Sequence, residues 1–183
     1  IKVELPNQRA MVKADPALLE LAFLNICENA AHAMTIMRPA EDKNRWGGAI
    51  KVSVNNVFPD NAFKTFHPAA TQRSYWALAV SDCGVGISHD DMPRIFDPMF
   101  STKGTKTGMG FGLSTIREIV EQHKGFVDIN SVHGEGTTVT LYLPEVEEEP
   151  PKTDKAKAGG EPPPSIPVGS GLVLVVDDEE ILR

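Results

Sequence analysis

After Pro144 the composition of the chain changes so sharply that only the residues before it are able to build a core. The stretch EVEEEPPKTDKAKAGGEPPPSIPVGSG, beginning at Glu145, holds six of the fourteen prolines and no aromatic residue. Such a segment cannot bury enough apolar surface to offset the entropy of ordering it, so residues 145–170 are expected to be a flexible linker. The remaining residues 171–183, GLVLVVDDEEILR, read as one buried-type strand followed by four acids, too short for a domain. The fold must therefore come from residues 1–144, the length of one ordinary domain. The charge divides at the same point. Of 18 Lys+Arg and 25 Asp+Glu, the tail holds 4 and 10, which leaves 14 and 15, a net of -1, for the body. A nearly neutral body lacks a broad basic footprint, and no nucleic-acid partner is expected.

No apolar run approaches the roughly 18 residues of a membrane span, and the N-terminal IKVELPNQRAMVK has no signal-peptide pattern. No membrane contact is expected of this chain, and a cytoplasmic setting is the natural one. Cys27 and Cys83, the only cysteines, have no CxxC spacing, which argues against a disulfide framework or a zinc site.

The body alternates strand-like and helix-like patterns: a strand near Val3, a helix from Pro16 to about Met37, and strands over 50–57 and 76–82. A short helix near 89–96, a glycine-rich loop, a helix from about Phe111 to His123, and strands GFVDINSV and GTTVTLYL follow. Hairpins mixed with helical crossovers suit an α/β layer with helices on one sheet face. The segment 58–75 is long for a hairpin loop; it reads equally as an interaction surface or as a loop packed on its own phenylalanines.

Asp15-Pro16 is a helix-start signal, and Leu19, Phe23, Ile26, Ala30, Ala33 and Met34 form an apolar stripe behind it. Asn25 and Asn29, one turn apart, flank that stripe. Interior asparagine costs up to about 0.7 kcal/mol of helix propensity against alanine. Either both amides bond to neighbouring backbone, or they serve a ligand. An amide oxygen can hold magnesium without neutralising it, leaving the ion's charge for a polyphosphate. Asp82, at the end of the apolar strand WALAVSD, precedes Gly84 and Gly86. A carboxylate there can accept a hydrogen bond from an exocyclic amine, although Asp and Gly are also ordinary turn residues.

Gly108, Gly110 and Gly112 alternate before an amphipathic helix, with Lys103 and Lys106 upstream. Exposed amides at a helix start beside ammonium groups make a phosphate site, and a glycine-rich stretch with few apolar anchors suits a lid. A solvated loop is the plainer reading. No G-x-x-x-x-G-K-[ST] and no G-x-G-x-x-G in a βαβ unit is present, so P-loop and Rossmann readings fail. Gly134-Glu135-Gly136-Thr137-Thr138 looks like a tight hairpin turn whose threonines could reach a nucleotide.

In this order LAFLNICENAAHAM, DCGVGI, IFDPMFSTK, TGMGFGLS and GEGTTVTLYLP resemble the catalytic ATP-binding domain of sensor histidine kinases, over about residues 1–144. The resemblance implies a two-layer α/β sandwich with a mixed, mostly antiparallel sheet and helices on one face, the Bergerat-type fold shared with gyrase and related ATPases. It implies ATP and magnesium as ligands. By position, Asn29 matches the magnesium asparagine and Asn25 the polar residue near the terminal phosphate. Asp82 matches the adenine-reading carboxylate, with Gly84 and Gly86 beside the base. Lys103 matches a phosphate-contacting lysine and, with Asn25, is assigned to catalysis; Gly108, Gly110 and Gly112 match the lid glycines. Thr137 or Thr138 lies near the adenine. His32 departs from the lysine or aspartate often found there.

Related hydrolases carry a glutamate base where Asn25 stands, so transfer is favoured over hydrolysis; Glu28, the nearest acid, reads as a solvated surface charge. The implied activity is protein-histidine kinase: donation of the γ-phosphoryl group to a histidine on a separate dimerising helical segment, in two-component signalling. That segment has no counterpart in residues 1–183. Ser88-His89-Asp90-Asp91 superficially resembles an acceptor pair, but its capping-box spacing makes His89 a surface residue. His67, His123 and His133 carry no partner pattern. The terminal GLVLVVDDEEILR resembles the first strand of a response-regulator receiver, with Asp177 and Asp178 as its acidic pair. A nucleotide-sensing scaffold without transfer activity is the alternative from another class.

Overall fold

Five strands form one mixed sheet in a computed structural model that describes residues 1–38, 46–101 and 112–146. They are β1 (Lys2–Glu4), β2 (Lys51–Val57), β3 (Tyr75–Ser81), β4 (Phe126–Val132) and β5 (Gly136–Pro144). Their spatial order is β1-β2-β3-β5-β4, with only β1 and β2 parallel. The expected mixed, mostly antiparallel sheet is thus observed. The chain divides into two compact units, Ile1–Glu148 and Glu149–Arg183. The second, with most of the expected linker and the receiver-like strand, lies outside the described residues, whereas Glu145 and Val146 at the linker's expected start are paired to the first unit, their amides donating to the Ser74 and Met11 carbonyls at 3.1 Å.

Two helices lie on the same sheet face, α1 (Pro16–Met34) and, after a six-residue helix α2 (Asn61–Phe66), α3 (Gly112–Gln122). Alternation along the strands sends Val52, Val80, Val139, Leu141 and Leu143 to that face, where they pack with Ala22 and Ile26 of α1 and Ile116, Ile119 and Val120 of α3. Asp15 caps α1 as its sequence indicates, its carboxylate accepting from the amides of Ala17 and Leu18 at 2.9 and 3.3 Å. The helix ends at Met34 rather than Met37. Thr35 turns its hydroxyl onto the Ala31 carbonyl at 2.7 Å, and its own amide reaches His32, so the ladder stops. The short helix expected near 89–96 is a single 3-10 turn, Met92–Arg94, containing Pro93.

His123, a residue without a partner pattern in the sequence, links the two long helices. Its Nε2 accepts from the Asp15 amide at 2.9 Å and its Nδ1 lies 2.7 Å from the Ile119 carbonyl. The end of α3 is thereby fixed against the start of α1. Gly112 lies against Asn29 at the opposite ends of the same pair, so the helices run antiparallel.

The segment 58–75 covers the other sheet face. Asp60 caps α2, and Phe63 meets Tyr142 edge-on at 5.5 Å. Tyr142 in turn stacks on Phe126 at 4.5 Å, with His67 and the buried Tyr75 completing the cluster. The packed-loop reading describes this half of the segment, while Phe58 and Phe66 remain exposed. Phe63→Ala is expected to cost about 2 kcal/mol of stability in urea unfolding, less than full burial would give because Phe63 is only half-buried. Nucleotide affinity should stay unchanged in the same variant, since the cluster lies across the sheet from the site described next.

Candidate functional site

Between α1, the start of α3 and the ends of β3 and β5 lies a cavity of about 470 Å³, a size suited to a small ligand. Its floor is apolar, made by Val80, Ile129 and Val139, while polar groups enter from several walls. Asn25 and Asn29 project from α1, Asp82 from the end of β3, Thr137 from β5, and Gly112 closes one side at the start of α3. The helical spacing that put both asparagines beside the apolar stripe therefore delivers them to one cavity. A side chain at Gly112 would sit 3.2 Å from Nδ2 of Asn29, so the first turn of α3 rests directly on that amide.

Strand register sends the two threonines to different faces. Thr137 lines the cavity, whereas Thr138, pointing to the opposite face, pairs its hydroxyl with Ser81 at 2.8 Å. Gly86 lines the cavity and Gly84 does not. Both glycines are demanded by protein packing. A Cβ at Gly84 would fall 2.6 Å from Ala33 Cβ and 2.8 Å from the Ala33 carbonyl oxygen, where Val85 N–H already donates at 3.1 Å. At Gly86, with φ +66°, it would strike the Val132 carbonyl, and at Gly136, with φ +140°, the Asp82 carbonyl. The loop after β3 is locked in this way between α1 and the three-residue β4–β5 turn, where Gly134 takes φ +84° and donates to Val85 at 2.7 Å.

Asp82 is the electrostatic centre of the site. Its Oδ1 accepts the Gly84 amide at 2.7 Å. Burial raises its pKa above the usual carboxylate value, while the Gly84 and Thr137 backbone hydrogen bonds and the charge of Arg38 pull it back in part. Glu28 is exposed as expected, yet it also lies on the cavity rim, 3.7 Å from Nε2 of His32. Ser88 and Asp91, also on the rim, bond to each other at 2.7 Å in the capping arrangement, and His89 is exposed. Lys103, Gly108 and Gly110 lie outside the described residues.

A carboxylate suited to an amine donor, a wall carrying two neutral amides, and a helix start fit a nucleotide with its phosphates towards α3. The donor set also fits magnesium, which takes one or two protein oxygens and leaves the rest to phosphate and water. Among the described residues no group of three or more His, Cys, Asp or Glu could hold a metal ion, so a metal fixed wholly by acidic or imidazole ligands is not indicated there. No described helix is long and apolar enough to cross a membrane.

Residues 14–147 match the family described as histidine kinase-, DNA gyrase B-, and HSP90-like ATPase. The sensor kinase CckA of Brucella abortus is 33% identical over 186 aligned positions, which cover all of this chain and 19% of the relative. The signal transduction histidine-protein kinase AtoS of Escherichia coli is 32% identical over 77% of this chain and 19% of its own length. The chain thus spans about a fifth of these relatives. Among solved structures, a mycobacterial sensor histidine kinase MprB (TM-score 0.55, covering 79% of this chain and 81% of that one) and the catalytic domain of histidine kinase ThkA (TM-score 0.56, 78% of each) share the fold at 22% identity.

Proposed function

We propose, from the premise that this chain belongs to the histidine kinase-, DNA gyrase B- and HSP90-like ATPase family, that it binds magnesium ATP and donates the γ-phosphoryl group to a histidine. The acceptor would stand on a separate dimerising helical segment, and a response-regulator receiver would take the group next. The observation that carries this reading is the convergence of Asn25, Asn29, Asp82, Thr137 and Gly112 on one cavity.

Each residue has a distinct task in it. Asp82 accepts a hydrogen bond from the exocyclic amine of adenine, while the Thr137 hydroxyl lies on the same wall. Asn29 offers its amide oxygen to magnesium; the bound ion supplies positive charge to the phosphate oxygens. Asn25, one turn earlier, approaches the terminal phosphate without repelling it. As a neutral amide it cannot take a proton from water, which favours transfer over hydrolysis. The amides at the start of α3, together with Lys103, Gly108 and Gly110 of the preceding segment, offset charge as the phosphoryl group moves. The imidazole nitrogen of the acceptor forms its bond to phosphorus as the bond to the bridging oxygen breaks and ADP departs. Residues 171–183, with Asp177 and Asp178, are proposed as the opening strand of a receiver.

Incubation of the chain with labelled ATP, magnesium and an added histidine hairpin is expected to give acid-labile, base-stable label on the hairpin. Binding without label would leave a nucleotide-sensing scaffold. Acid-stable label would indicate hydroxyl transfer, and free phosphate without label would assign hydrolysis, with Glu28 on the rim as the acid to test.

A further inference from the structure

We propose that Arg38 is the positioning residue of the base-reading carboxylate, holding from the segment after α1 the turn that presents Asp82 to the cavity. The inference rests on the reading of that cavity as an adenine-nucleotide site. Among the described residues Arg38 is the only buried polar or charged one, 8% exposed. Removing a guanidinium from water is costly unless it is hydrogen-bonded and its charge is compensated, so such a placement calls for specific partners. One is on the loop after β3: Nη2 donates to the Cys83 carbonyl at 2.5 Å, across 45 residues of sequence. Cys83 adjoins Asp82, so this bond fixes the peptide that follows the carboxylate.

The chain returning towards β2 bears on the same residue. Gly47 N–H donates to the Met34 carbonyl at 2.9 Å, and Gly48 lies so close that a Cβ there would meet Cys83 Sγ and Met34 Sδ. Those two sulfurs are themselves 3.7 Å apart. The α1–β2 connection therefore grips Cys83 from both of its described ends, by carbonyl and by side chain. Arginine suits the first grip because a guanidinium keeps its charge where a lysine would tend to lose it. That charge also favours the ionised form of Asp82, opposing the effect of burial. Arg38 thus acts on both the orientation and the ionisation of the carboxylate without lining the cavity itself.

The discriminating probe is inosine triphosphate, which carries a carbonyl where adenine carries its amine. Calorimetric titration of the full chain is expected to give an ATP preference of about tenfold or more over the inosine nucleotide. Arg38→Met should cut that ratio to about threefold or less while leaving inosine nucleotide affinity within about twofold. The loss of ATP affinity on acidification should also move to higher pH, because Asp82 loses a neighbouring positive charge. Glu28 from α1, Asp91 from before the 3-10 turn and His133 from the β4–β5 turn face the same cavity; they are common to both proteins and cancel in the comparison. In an Asp82→Asn background Arg38→Met should remove no further preference. An unchanged ratio, or equal loss of both nucleotides, would overturn the inference. If the native chain binds neither nucleotide, or binds both equally, the reading of the cavity fails instead. Should Arg38→Met not fold, Arg38→Gln decides, since it keeps a donor and loses the charge. A lowered ratio with the same pH displacement is expected, and native behaviour would overturn the proposal.

Discussion

Asn29→Ala is expected to remove the magnesium dependence of ATP binding, with affinity in saturating magnesium falling about tenfold or more, or ~1.4 kcal/mol. The amide oxygen is the only side-chain group proposed to hold the ion, and alanine offers nothing in its place. Affinity measured without magnesium should change little, which separates a metal role from a general collapse of the cavity. The fold should survive, because alanine is the better helix former by up to about 0.7 kcal/mol at an interior position of α1. Titration with and without magnesium, alongside urea unfolding, checks all three statements. An Asn29→Ala protein whose ATP affinity still responds fully to magnesium would contradict the assignment.

Asp82→Asn should have the second large effect. Oδ1 is already held by the Gly84 amide, so in the variant that oxygen stays in place and the exchanged atom becomes an NH2 group. A donor would then face the donor on adenine, and ATP affinity should fall about 10- to 100-fold, roughly 1.4–2.7 kcal/mol. Stability should move the other way or not at all. Because burial raises the folded-state pKa of Asp82, the folded chain binds more protons than the unfolded one between the ordinary carboxylate value and the raised one. Stability from this group is therefore lost as pH rises through that window, and the penalty persists at neutral pH. The neutral variant escapes it, so its thermal midpoint at pH 7 is expected at or above that of the native chain. For the native protein, ATP affinity should fall as pH drops through the raised pKa of Asp82. A native-like affinity in Asp82→Asn, or a midpoint several degrees lower, would count against this account.

Much of the site could be read from the sequence because its parts obey local rules. Asp15-Pro16 declares the start of α1, and a period of 3.6 then places Asn25 and Asn29 on one flank. The apolar run before Asp82 puts that carboxylate at a strand end. What the sequence left open depends on contacts between distant segments. Thr137 and Thr138 are indistinguishable until β5 is registered against β3. His123 shows no local pattern because its partner, the Asp15 amide, is 108 residues away. Arg38 likewise looks like an ordinary charge until its guanidinium is found buried against Cys83. The helix α2 was hidden by its length, since six residues are too few for a 3.6 period to stand out. The apolar periodicity continues to about Met37, beyond the end of α1 at Met34, because Thr35 competes for backbone carbonyls in a way that periodicity does not register.

The collisions that a side chain would cause at Gly84, Gly86 and Gly136 are all with this protein's own residues, which separates the two kinds of residue in the signature. A descendant that gave up its nucleotide would still need those glycines to keep its shape, yet would be relieved of an awkward half-buried acid. Decay among copies of such a gene should therefore erase Asp82 and spare the glycines. On the role proposed for Asp82, glycine-based matches alone will overcount nucleotide-binding members, and the carboxylate is the better marker.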